Sequence, residues 1–291
     1  MKNAIRLLAL ATVTLVAFGL IATAKAETTD TTAYHMSRAQ AIILGIVEGL
    51  TEYLPVSSTG HLYLTQRLMG VGESGPAKDA ADAYAICIQF GAILAALFLY
   101  FGRVRAMALG LLGRDAEGRR MAVNLIAAFL PAVIAGILFE KSIKHYLFGM
   151  WPITVAWFIG GVAILIISAK HRDTGQGHSL GDLTWRQSLL IGAVQCLAMW
   201  PGTSRSLVTI IGGVAIGLSV PAAVEFSFLL GLVTLSAATA FEGLKQGGQI
   251  VATFGLLNPL IGIVMAFVSA VFAVKFMVSF LNRNALAWFG A

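Results

Sequence analysis

Glu48 and Glu52 stand four positions apart in AIILGIVEGLTEYLPVSSTGH, a stretch otherwise apolar enough to lie in a bilayer. A carboxylate in hydrocarbon costs at least a few kcal/mol, so such residues face a cavity, a metal or a substrate. The four-residue spacing sets both acids on one face of a helix. Pro55 ends that helix, and Ser57, Ser58 and His61 follow it closely. Paired carboxylates suit a hard divalent cation such as Mg²⁺ or Ca²⁺, and a hydroxyl beside an imidazole suits nucleophilic or general-base chemistry.

A second break reads WPGTSRSLVT. Pro201 and Gly202 end one helix, and Ser204, Arg205, Ser206 and Thr209 open the next. An arginine among hydroxyls at a helix start makes a phosphate cradle, because it joins a fixed charge and a planar donor fork to a favourable dipole. The hydroxyls also have a plainer use, which is to satisfy backbone groups freed where a membrane helix breaks. Glu225, in VEFSFLL, is a candidate ion-pair partner for Arg205.

The elements that must position these groups are membrane helices. Hydrophobic residues make up 58% of the 291 residues and charged ones only 12%, about half the share in soluble domains. Lys2, Arg6 and Lys25 account for half of the formal charge of +6, and the remaining chain is close to balanced, which gives no case for a nucleic-acid partner. Cys87 and Cys196 lie in apolar runs and give no disulfide framework. Residues 1–26 have a basic start, an apolar run and the small-x-small pattern Ala24-Lys25-Ala26, so they read as a signal peptide or N-terminal anchor. Residues 27–36 form a polar linker that emerges outside.

From there the chain divides into two related halves. Residues 37–169 read as a re-entrant broken helical hairpin followed by spans at about Asp82 to Phe101, Met121 to Phe139 and Trp151 to Ala169. The segment between the first two spans carries five arginines, Arg103 to Arg120, and is expected as a cytoplasmic loop. Residues 170–291 repeat the plan with a second hairpin and spans at about Leu218 to Phe241 and Phe254 to Leu281. A shift of 147 places Gln40 on Gln187, Gly45 on Gly192 and Glu48 on Gln195, and Ser37 and Thr184 correspond as N-caps. A shift of 146 then places Pro55 on Pro201 and Ser58 on Ser204. Three spans between the hairpins reverse their orientation. The fold expected is therefore an all-α polytopic membrane protein with an inverted-topology repeat, two re-entrant hairpins and five full spans, a sixth being missing by symmetry.

EGLTEYLPVSSTGH and PGTSRS, three spans apart, closely resemble the undecaprenyl-diphosphate phosphatase family, also called bacitracin-resistance proteins. IQFGAILAA, AFLPAVIAG and EFSFLL look like the family as well, and the resemblance runs from about Ser37 to Asn284. Leu207 departs from it, standing where a glycine is common. The resemblance implies hydrolysis of undecaprenyl diphosphate to the monophosphate and inorganic phosphate at the periplasmic face of the bacterial inner membrane. That reaction recycles the lipid carrier for cell-wall synthesis.

By role, Arg205 is expected to clamp phosphate, with Ser57, Ser204, Ser206, Thr209 and Gln195 binding substrate. Glu48 and Glu52 are expected to hold the divalent cation. Ser58 or His61 supplies the nucleophile, or His61 activates Ser58 or a water; the sequence leaves the covalent and direct-water routes open. The expected partners are a prenyl diphosphate lipid, the bilayer and, as an option, a second copy of the chain in a homodimer. The rival reading is a transporter or flippase of an anionic prenyl lipid, since broken helices meeting at the midplane are also carrier architecture.

Overall fold

In the computed structural model, the described residues are 36–72, 76–147, 149–170 and 177–281. The expected leader and nearly all of the linker lie outside them. The described residues form ten α-helices: α1 Arg38–Tyr53, α2 Ser58–Leu68, α3 Pro76–Leu99, α4 Phe101–Leu111, α5 Ala116–Tyr146, α6 Met150–Lys170, α7 Trp185–Gln195, α8 Arg205–Ala215, α9 Val220–Phe254 and α10 Leu257–Leu281. Five of these (α3, α5, α6, α9 and α10) are long and apolar enough to cross a membrane. With α1–α2 and α7–α8 as the two hairpins, the all-α polytopic architecture stands as expected.

The hairpins start alike. Ser37 caps α1 and accepts from the Gln40 amide at 3.2 Å, while the Gln40 side chain accepts from the Ser37 amide at 2.8 Å. Thr184 and Gln187 form the same reciprocal capping box on α7. Their ends differ. Helix α1 runs to Tyr53 and stops at an extended Leu54, as Pro55 requires. Helix α7 stops sooner, at Gln195, and tightens into a 3₁₀ turn, Cys196–Met199, before Pro201 is reached.

Helix α1 is inside-out by the standards of a soluble protein. Its buried face carries Ala41, Leu44, Gly45, Glu48, Gly49 and Glu52, while Ile42, Ile43 and Leu50 are exposed. Close packing makes this arrangement possible. A Cβ at Gly45 would lie 2.5 Å from the Gly262 carbonyl of α10, and one at Gly49 would lie 2.8 Å from the Ala270 amide nitrogen. Ser269 of α10 donates to the Gly45 carbonyl at 3.4 Å. In the other half, Gly192 of α7 meets the Ala128 backbone of α5 in the same manner. Each hairpin is thus seated against the second span of the opposite half, so the two halves interlock.

The segment expected as an arginine-rich loop is largely helical. Helix α4 folds back on α5 because Gly110 and Gly118 let the two backbones touch. Arg103, on α4, donates to Glu225 at 2.6 Å, so Glu225 is not the partner of Arg205.

Candidate active site

The two hairpin breaks meet. Leu54, just past the end of α1, presents its carbonyl to the Ser206 hydroxyl at 3.0 Å. Beside that contact, Arg205 Nη2 donates to Glu52 Oε1 at 2.8 Å across 153 residues of sequence. Ser58 Oγ donates to the other oxygen, Glu52 Oε2, at 2.5 Å, and Gln89 Nε2 on α3 reaches the same oxygen at 3.3 Å. Glu52 is buried, and three donors meet its two oxygens.

Local structure explains how each group is aimed. Arg205 is the first residue of α8, with Ser204 as N-cap accepting from the Leu207 amide at 3.3 Å. The guanidinium therefore stands at the positive end of a helix whose first amides need acceptors. Its Nη1 donates to the Ser227 carbonyl of α9 at 3.0 Å, and its Cζ lies 5.9 Å from the centre of the Tyr53 ring. Tyr53 is itself fixed, donating to the Ala92 carbonyl at 3.1 Å and packing edge-on against Phe228. Arg205 Nε is buried without a hydrogen-bond partner, so the fork retains a spare donor.

Ser58 is aimed by backbone strain. Ser57 has φ 67, the only positive φ on a non-glycine among the described residues, and such a conformation costs on the order of 1–3 kcal/mol. His61 helps to hold it, because its Nδ1 and its backbone amide both donate to the Ser57 carbonyl, at 2.9 and 3.3 Å. The ring then packs on Trp157, with centroids 5.0 Å apart.

A cavity of about 270 Å³ opens onto this cluster, with Glu52, Ser57, Ser58, Gln89, Ser204 and Arg205 on its wall. Gln195 lines it as well, and both polar atoms of its side-chain amide are buried without partners. A neighbouring cavity of about 170 Å³ shares Ser58, Thr59 and Gln89 and is lined by Glu48, whose Oε1 is likewise buried and unpartnered.

Three of the expected site residues make other contacts. His61 lines neither cavity; it faces the Ser57 carbonyl and Trp157, so Glu52 and not His61 takes the Ser58 hydroxyl. Ser206 spends its hydroxyl on the Leu54 carbonyl and on Ser204 Oγ, at 3.0 Å each. Thr209 is fully buried and bonded to the Arg205 carbonyl and to Ser227 Oγ, at 2.8 and 2.7 Å. These last two hydroxyls clamp α8 to its neighbours away from the cavity.

Sequence reasoning also missed Gln89, Tyr53 and Ser227. Gln89 carried a signal, an amide inside the apolar run IQFGAILAA. Ser227 contributes a backbone carbonyl, which no side-chain pattern announces.

As to a metal, no group of three or more His, Cys, Asp or Glu occurs among the described residues. Glu48 has a free buried oxygen, whereas both oxygens of Glu52 are engaged. Such a set fits a hard cation that takes most of its ligands from phosphate oxygens and water, not a closed protein cage.

The family model described as bacitracin resistance protein BacA matches residues 41–291. Among curated relatives, an undecaprenyl-diphosphatase from Sorangium cellulosum is 41% identical over 253 residues, covering 86% of this chain and 81% of its own length. One from Methylococcus capsulatus is 43% identical over 256 residues, covering 86% and 89%. One from Azotobacter vinelandii is 41% identical over 256 residues, covering 86% and 88%.

Proposed function

The chain belongs to the BacA family of bacitracin-resistance proteins, and with that as premise we propose that it is an undecaprenyl-diphosphate phosphatase, a multi-pass enzyme of the bacterial plasma membrane. It hydrolyses undecaprenyl diphosphate to undecaprenyl phosphate and inorganic phosphate. The observation that supports this reading is the Ser58–Glu52–Arg205 chain, a hydroxyl, a carboxylate and a guanidinium bonded in series on the wall of one cavity.

The chemistry follows from those contacts. When the diphosphate enters, Arg205 turns from Glu52 to the phosphate oxygens, and its spare Nε–H adds a second donor. Ser58 Oγ attacks the terminal phosphorus while its proton passes to Glu52 Oε2. The bond from that phosphorus to the bridging oxygen breaks, and the electron pair leaves with undecaprenyl phosphate. Water then attacks the phosphoserine, Glu52 returns its proton to the departing Ser58 Oγ, and the proton lost by the water leaves with the inorganic phosphate. Ser57, Ser204 and Gln195 supply hydrogen bonds to the diphosphate. Glu48 and Glu52 are the carboxylates that would hold a divalent cation, Mg²⁺ or Ca²⁺. When bound, that ion would supply positive charge to the diphosphate. His61 acts on the fold of the Ser57 turn. All these groups come from one chain, so a homodimer is not needed to complete the site.

The carrier reading gives the Ser58–Glu52 hydrogen bond no task. Purified protein in detergent will release phosphate from undecaprenyl diphosphate; a carrier, lacking two compartments, would release none.

The cavity is proposed to face the periplasm. The arginines of α4 and of the start of α5 mark the cytoplasmic side, and three spans separate the hairpins. Thr59 is exposed on the cavity wall. In a chain carrying Thr59→Cys with Cys87→Ser and Cys196→Ser, a membrane-impermeant thiol reagent added outside intact cells will label the protein. Labelling only in inverted vesicles would reverse the orientation.

A further inference from the structure

Gly231 lies in the middle of α9, inside an apolar span where nothing in a helix asks for glycine. A Cβ built there would meet the guanidinium of Arg205, coming within 2.6 Å of Cζ and 2.7 Å of Nη2, and closer still to Nη1. No other side chain and no backbone is among its three nearest atoms. This is unlike Gly45, Gly49 or Gly192, where an added Cβ would strike the backbone of a neighbouring helix. Those three glycines serve packing. At Gly231 the atoms nearest the added methyl are the far end of a flexible side chain, so the fold can accommodate the methyl and the site cannot.

We propose that Gly231 is a positioning residue for the phosphate clamp. It is a bare patch on α9 that seats the Arg205 guanidinium flat against the helix, so that Nη1 reaches the Ser227 carbonyl at 3.0 Å and Nη2 reaches Glu52 at 2.8 Å at the same time. Ser227 stands one turn before Gly231 on the same face, so carbonyl and bare patch form one seat. Thr234, three residues on, lines the cavity, which places the seat at its edge. The inference rests on the reading of Arg205 as the phosphate clamp.

Gly231→Ala tests it. Alanine is the better helix former, so a merely structural role predicts a chain as stable as before or more so, with turnover kept. The seat predicts instead that kcat/KM for phosphate release falls at least about 100-fold, on the scale of losing an oriented charge-stabilising donor. The melting temperature should stay within a few degrees of the parent.

A double-mutant cycle separates the collision from other effects. In an Arg205→Ala background the methyl meets empty space, so adding Gly231→Ala will leave residual phosphate release unchanged and will not lower the melting temperature. If Gly231→Ala alone prevents folding, the double variant must restore it, and failure of the double variant to fold overturns the proposal. Near-parental turnover in Gly231→Ala, or an equal loss in both backgrounds, also overturns it. High turnover in Arg205→Ala alone would instead remove Arg205 from the phosphate site, a separate failure that this cycle reads directly.

Discussion

Arg205→Lys will leave the protein folded and remove most phosphate release, lowering kcat/KM by about 100- to 1,000-fold. Lysine keeps the charge, so the loss measures geometry. Arg205 uses Nη1 for the Ser227 carbonyl and Nη2 for Glu52 and keeps Nε in reserve, whereas an ammonium is a single point that cannot span the two at once. The fold should survive because Ser206 also ties the hairpin tips together through the Leu54 carbonyl, and Thr209 ties α8 to Ser227 of α9. Steady-state phosphate release in detergent, with a melting curve on the same sample, checks both halves of the expectation. Turnover within a few-fold of the parent would mean that Arg205 is no phosphate ligand.

Glu52→Gln should cost a comparable amount, about 100- to 10,000-fold in kcat, because the amide can accept from Arg205 but cannot take the Ser58 proton. It should also flatten the response of the enzyme to added Mg²⁺ or Ca²⁺, since one of two anionic ligands is gone. Titrating the cation against both proteins separates the two roles. An unchanged titration with lost turnover leaves Glu52 as base alone, and unchanged turnover contradicts the proposed proton transfer.

Spans and breaks were legible in the sequence because they rest on strong local forces. A polar backbone in lipid must close its own hydrogen bonds, so apolar runs become helices; Pro55 ends the first helix of one hairpin, and the other hairpin breaks a few residues ahead of Pro201. The capping boxes at Ser37 and Thr184 follow from short-range donors and acceptors, and both form. Helix α4 was hidden because its arginines read as a loop, while the cause of its folding, close approach through Gly110 and Gly118, depends on tertiary contact.

The site divides in the same way. Glu52, Ser58 and Arg205 stood out because charge in an apolar run is costly, and they do converge. His61, Ser206 and Thr209 were read by residue type, yet an imidazole or hydroxyl serves a backbone carbonyl as readily as a substrate, and only the fold decides. In all three the backbone took the bond.

The interlocked halves bear on how the protein is made. Helix α1 presents Gly45 and Gly49 to α10, and the contacts that hold it there span more than two hundred residues, as from Ser269 to the Gly45 carbonyl and from Asn258 to the Met36 carbonyl. During synthesis, the first hairpin therefore enters the membrane with its acidic, glycine-lined face uncovered, and waits while all of the chain between α2 and α10 is translated. Until α8 is made, Glu52 lacks the guanidinium it pairs with, and an unpaired carboxylate in lipid is costly. Assembly therefore has an imposed order: the carboxylates of the future site are laid down first, and the arginine that pairs with Glu52 follows late.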